Sequence, residues 1–159
     1  MTESDRPVDF FDTSALIKRY TEEIGTDIVD RAFDHPDTSR VITDIAIIEF
    51  HSAFARRMRM GQCDADEFEG ARSELAADIT AGHLHVERLT DADKSEASYL
   101  IEQYGPSQGL RTLDAMQLAV MKRLGAENLR TVYCADRALI AILEEEGFTV
   151  VNPEDASAV

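Results

Sequence analysis

The sequence predicts an α/β fold built on a mostly parallel sheet, and three observations carry that prediction. Short apolar runs of strand length alternate with longer helix-like stretches along the chain, the order of a parallel sheet with crossover helices. Turn-forming residues stand at the boundaries, among them Pro36, Gly61, Gly82, Gly147 and Pro153. The 159 residues, 44% hydrophobic and 30% charged, suffice for one well-buried core, so residues 1–159 are expected to form a single domain.

Val8–Phe11 reads as a first strand that runs into Asp12-Thr13-Ser14 and a capped helix through Ala15–Tyr20. Ile24–Phe33 reads as a second helix, stopped by His35-Pro36-Asp37. Arg40–Thr43 is the second strand, followed by a helix from Asp44 to about Met60 that Gly61 ends. Asp64–Thr80 is a charged helix closed by Gly82, and His83–Leu89 alternates as a short strand. Asp91–Tyr104 is helical, and Gly105-Pro106-Ser107-Gln108-Gly109 reads as a loop. Leu113–Leu124, rich in Ala, Met, Leu and Val, is a largely buried helix, and Leu129–Cys134 is a strand. Asp136–Glu146 is a helix closed by Gly147, and Phe148–Val151 is the last strand before Asn152-Pro153.

Charge disfavours broad, non-specific nucleic-acid binding. Asp and Glu number 31 against 16 Lys and Arg, a formal net charge of −15, and that field repels a phosphate backbone unless a metal or local basic groups reverse it. The same balance, with Lys18, Lys94 and Lys122 the only lysines, also suits a protein kept soluble in high salt. Cys63 and Cys134 lack CxxC spacing, which points away from zinc knuckles and disulfides and toward a reducing compartment. MTESDRPVDFF has no apolar leader, and no stretch approaches the roughly 20 apolar residues of a membrane span, so a cytoplasmic protein is expected.

Most of the acids suit a solvated surface; four stand where a charge is awkward. Asp12 and Asp136 fall at the carboxyl ends of predicted strands, where open α/β sheets place their ligand crevice. Glu49 interrupts Ile45-Ala46-Ile47-Ile48-Glu49-Phe50, and Asp114 interrupts Leu113-Asp114-Ala115-Met116. A lone buried carboxylate costs several kcal/mol or is protonated. Two readings remain open at this point. Separately, Asp12 and Asp136 suit helix N-caps, Asp114 with Gln117 matches a capping box, and Glu49 is within helical reach of Arg56 or Arg57. Together, the four carboxylates would repel one another unless an oxygen-preferring divalent cation, Mg²⁺ or Mn²⁺, sat among them.

An acidic cluster with no His or Cys ligand pattern suits hydrolysis of a phosphodiester, because a metal activates water and neutralises charge building on the phosphate. In such a mechanism Asp12, Glu49, Asp114 and Asp136 would hold the metal, and Arg111 and Arg137 beside them are candidate phosphate contacts. The chain has no GxxxxGK[ST] loop, no GxGxxG after a strand and no GxSxG elbow. A phosphoacceptor receiver domain also clusters acids at strand ends, but Thr13 stands where it wants a second acid and no lysine follows Lys122. A catalytically inactive acidic module that docks a basic partner segment is the other alternative.

The order Phe11-Asp12-Thr13-Ser14-Ala15-Leu16, Ile48-Glu49-Phe50, Leu110-Arg111-Thr112-Leu113-Asp114-Ala115-Met116-Gln117-Leu118-Ala119 and Ala135-Asp136-Arg137-Ala138-Leu139 resembles a PIN-domain ribonuclease. The closest type is the VapC-like toxin of toxin-antitoxin pairs, and the likeness extends to the closing Glu146–Pro153. It implies a three-layer α/β/α domain with Asp12, Glu49, Asp114 and Asp136 as the acidic metal site and Thr13 or Ser14 as a polar helper. It further implies cleavage of single-stranded RNA with Mg²⁺ or Mn²⁺, a homodimer, and inhibition by an antitoxin whose basic or apolar C-terminal segment blocks the acidic groove. One departure stands out: many members carry Ser or Thr immediately before the last acid, and this chain has Ala135.

Overall fold

The computed structural model describes residues 2–155. After a 3₁₀ turn at Glu3–Asp5, the elements are β1 (Val8–Phe11), α1 (Thr13–Tyr20), α2 (Thr26–Asp34), β2 (Ser39–Thr43) and α3 (Asp44–Arg59). They continue with α4 (Ala65–Thr80), β3 (His85–Glu87), α5 (Asp91–Gln108), α6 (Thr112–Leu124), β4 (Leu129–Tyr133), α7 (Arg137–Glu145) and β5 (Val150–Val151).

The strands form one sheet in the order β3-β2-β1-β4-β5, and every pairing is parallel. A parallel sheet needs both faces covered, and side chains alternate between faces along a strand. Phe10 therefore enters a core with Leu100, Leu118, Met121, Leu139 and Leu143, and Phe11 enters the opposite core with Leu16, Phe33, Phe50 and Leu75. Helices α5, α6 and α7 cover one face and α1 to α4 the other, which is the expected three-layer arrangement.

From β1 the chain builds outward through β2 and β3, then returns to lay β4 and β5 on the other side. The order reverses between β1 and β4, and such a switch point leaves a crevice outside the strands' carboxyl ends. Asp12 follows β1 and Asp136 stands between β4 and α7.

The predicted loop at Gly105-Pro106-Ser107-Gln108-Gly109 is a correction: α5 runs through Gly105 and Pro106 to Gln108. Pro106 lies in the last turn, where it removes one hydrogen bond, and the burial of Leu100, Tyr104 and Leu110 in one core outweighs local turn preference. Only Gly109 leaves the helix, at φ 69° with its N–H on the Gly105 carbonyl. The other differences are small. The strand predicted over His83–Leu89 contracts to His85–Glu87, and the one over Phe148–Val151 to Val150–Val151.

Candidate functional site

Asp12 ends β1 in extended conformation and caps α1, accepting from the Ser14 N–H at 3.2 Å. The Ser14 hydroxyl donates to Asp12 Oδ2 at 2.6 Å and accepts from the Ala135 N–H at 2.9 Å, stitching the end of β1 to the segment after β4. A hydroxyl thus stands beside Ala135 after all, supplied by Ser14. Asp12 is buried, and among the described residues its Oδ1 has no hydrogen-bond partner. Burial raises its pKa, against the Ser14 hydrogen bond, and the Glu49 charge adds to the rise.

Asp136 caps α7, with Oδ1 accepting from the Ala138 and Leu139 N–H groups at 3.0 and 3.2 Å. Both capping roles foreseen for Asp12 and Asp136 are real, and they orient the carboxylates rather than exhaust them. Asp114 is the third residue of α6, and α6 is capped by the backbone of Arg111 with no side-chain cap. The Asp114–Gln117 capping box is therefore absent. Burial, with repulsion from Asp12 and Asp136, pushes the Asp114 carboxyl up to about 6 despite the neighbouring Arg111.

Glu49 does not pair with Arg56 or Arg57. Its Oε1 accepts from the Thr13 hydroxyl at 3.0 Å and from Gln117 Nε2 at 2.6 Å. Gln117, fully buried, also donates to Thr13 Oγ1 at 2.9 Å, so one amide locks two elements onto one carboxylate oxygen. Burial raises the pKa of Glu49, offset in part by those two donors. The sequence reading missed this role of Gln117, although its i+3 spacing from Asp114 places both on one face of α6.

All four acids line one cleft of about 670 Å³ at the switch point, together with Thr13, Ser14, Arg56, Arg57 and Arg111. Arg111 reaches Asp114 Oδ2 with Nε and Nη2 at 3.2 and 3.1 Å, and Asp136 Oδ2 with Nη2 at 2.9 Å. Thr13 and Ser14, the polar helpers that the resemblance implies, turn their hydroxyls onto Glu49 and Asp12. The Arg137 guanidinium pairs with Asp155 at 2.7 Å and does not line this cleft. Lys18 also lines the cleft, yet it is 2% exposed and held by Glu23 and Glu154 at 2.9 and 2.7 Å. Asp9, buried within β1, is explained without ligands, since Arg130 across the β1–β4 ladder binds both its oxygens.

The donor set is oxygen only, which suits a hard divalent cation, and the unpartnered, buried Asp12 Oδ1 is the kind of atom such an ion satisfies. Among the described residues no three His, Cys, Asp or Glu side chains are already drawn into a metal-sized cage. The Arg111 guanidinium pairs with both Asp114 and Asp136.

A parallel α/β sheet with carboxylates converging from β1, α3, α6 and the β4–α7 junction defines the protein as an acidic switch-point α/β domain. The match to the PIN domain model over residues 10–142 then places the chain in the PIN domain family. No curated protein sequence matches it. Among solved structures it is similar to VapC20 of Mycobacterium tuberculosis, a Sarcin-Ricin loop cleaving toxin, at 19% identity and TM-score 0.68 over 91% of this chain and 99% of that one. It is similar to FitAcB from Neisseria gonorrhoeae at 15% identity and TM-score 0.60, over 91% and 97% of the two chains. A toxin-antitoxin complex from Klebsiella pneumoniae matches at 15% identity and TM-score 0.58, again over 91% and 97%. At these identities the likeness is one of fold.

Proposed function

We infer that the protein is a divalent-metal-dependent endoribonuclease that hydrolyses single-stranded RNA and is the toxin of a toxin-antitoxin pair. The observation that carries this is the convergence of Asp12, Glu49, Asp114 and Asp136 on one cleft, with Asp12 Oδ1 buried and unpartnered. Family membership supports a nuclease site at that place, and the Sarcin-Ricin loop cleavage named for VapC20 supports a cleaving toxin.

Asp12 and Asp114 present the oxygens that would hold Mg²⁺ or Mn²⁺, with Glu49 and Asp136 completing the shell. When bound, the ion supplies positive charge against the negative charge that develops on the phosphate. The protein's own groups do the rest. Thr13 and Gln117 fix one oxygen of Glu49, leaving the other, unbonded among the described residues, to orient a water and accept its proton. Ser14 holds Asp12 in place. Arg56 and Arg111 at the cleft offset the −15 field locally and give a phosphate backbone somewhere to bind, whereas Arg57 is paired with Glu23.

The partners in this reading are an antitoxin, whose basic segment would meet the same acids, and a second copy of the chain. The expected compartment is the cytoplasm. A second reading, an acidic pocket that docks a basic segment without cutting RNA, is favoured by one observation: Arg111 already fills the Asp114–Asp136 gap as a partner's cation would.

The test is cleavage of a single-stranded RNA by the purified protein with Mg²⁺, with Mn²⁺ and with chelator. Cleavage with metal and silence in chelator is expected, and loss of the metal-dependent cleavage in Asp114→Asn. Equal cleavage with and without chelator would reject the metal mechanism, and no cleavage under any condition would favour the docking module.

A further inference from the structure

We propose that Arg111 is a built-in counter-cation: its guanidinium bridges Asp114 and Asp136 in the metal-free protein, and a divalent cation must displace it to bind. The inference rests on the nuclease reading above and adds a competitor that belongs to the chain itself.

Position argues first. Arg111 is the N-cap residue of α6, and its side chain makes no capping hydrogen bond. Asp12, Thr43, Asp64, Thr90 and Asp136 cap α1, α3, α4, α5 and α7 with side-chain oxygens. A cation at a helix N-terminus faces the positive end of the helix dipole, and Arg is a poor capping residue, so nothing in α6 itself favours it there. What its side chain does instead is join two acids from different elements. Nη2 lies 3.1 Å from Asp114 Oδ2 and 2.9 Å from Asp136 Oδ2, and Nε lies 3.2 Å from Asp114 Oδ2.

Exposure argues second. The Arg111 side chain is 73% exposed, against 14% and 27% for the two acids. The acids are sheltered and need a counter-charge, whereas the arginine is free on its outer side and can leave. Ion pairs with one solvent-exposed partner are weak enough for a dication to overcome. Lys18 shows the contrast: at 2% exposure between Glu23 and Glu154 it is a fixed part of the cleft wall.

Incomplete compensation argues third. Arg111 makes no hydrogen bond to Asp12, whose buried Oδ1 stays unpartnered. The guanidinium therefore serves two of the converging acids and leaves the most buried one unserved, while an ion that prefers several oxygens would serve all of them. Once displaced, Arg111 remains tethered at the cleft rim, where a substrate phosphate is the next available anion.

Calorimetric titration of Mn²⁺ into the full chain tests the exchange, using the parent, Arg111→Met, Arg111→Gln and Arg111→Lys at one ionic strength, with Asp114→Asn as control. Removing the charge in Met or Gln should tighten Mn²⁺ binding about tenfold, the factor expected if the bridge is closed about 90% of the time, and Lys should stay within about threefold of the parent. The charge-removed variants should also melt lower than the parent in chelator and gain more from Mn²⁺. Either neutral variant suffices if the other fails to fold. Unchanged or weaker Mn²⁺ affinity in a folded neutral variant, with the parent binding and Asp114→Asn not, overturns the proposal and leaves the nuclease reading standing. No Mn²⁺ binding by parent or variants overturns both.

Discussion

Asp114 is a side chain that is poor for stability and, in the proposed function, necessary for the site. Its carboxyl is pushed up to about 6, against a reference near 3.8, by burial and by the charges of Asp12 and Asp136. A raised carboxyl favours the folded state when protonated. Its stabilising contribution is complete below pH 3.8 and is lost as pH rises through about 6. Cation binding runs the other way, because the proton must leave first. The Mn²⁺ dissociation constant should be nearly flat from pH 7 to 8 and should weaken below about 6, by about tenfold per pH unit for one competing proton. Burial also raises Asp12 and Glu49, so the dependence should be no shallower than that. An affinity that is level from pH 5 to 8 would remove these carboxylates from the binding site.

Ser14 is the corresponding residue at the scale of elements, since its hydroxyl joins the end of β1 to the segment that follows β4. Ser14→Ala should lower stability by about 1–2 kcal/mol, a few degrees in melting temperature, by leaving the Ala135 N–H unpaired and freeing Asp12. Cleavage should fall with it, and a variant with parental melting and parental cleavage would show that the stitch is unimportant. Strand ends and helix starts around the acids were legible because each residue carries a local signal: Asp before a helix, or a charge inside an apolar run. Ser14, Gln117 and Arg111 were harder to read, because their roles depend on which elements the topology brings together. Gln117 reads locally as a capping partner, and only the approach of α1 and α3 to α6 turns it onto Thr13 and Glu49. Pro106 misled for the same reason, as tertiary burial carried the helix through a local breaker.

Over the whole molecule, the −15 charge sets the solvated surface while the switch point gathers acids and arginines into one cleft. Ile48 and Leu113 line that cleft at 69% and 45% exposed, and Met58 and Met60 at the end of α3 are 37% and 54% exposed. Apolar surface of this kind suits a partner. Light scattering is expected to give twice the monomer mass at micromolar concentration, and the monomer mass throughout would contradict the homodimer.

The most direct measurement is a set of thermal melts at pH 7 of the parent and Asp114→Asn, each with Mn²⁺ and with chelator. If the four acids share one cation, the parent should gain about 2.7 kcal/mol at a hundredfold excess over its dissociation constant. Asp114→Asn should lose most of that gain, and in chelator should melt at or above the parent because one repelling charge is gone. Identical responses of the two proteins to Mn²⁺ would contradict the shared site.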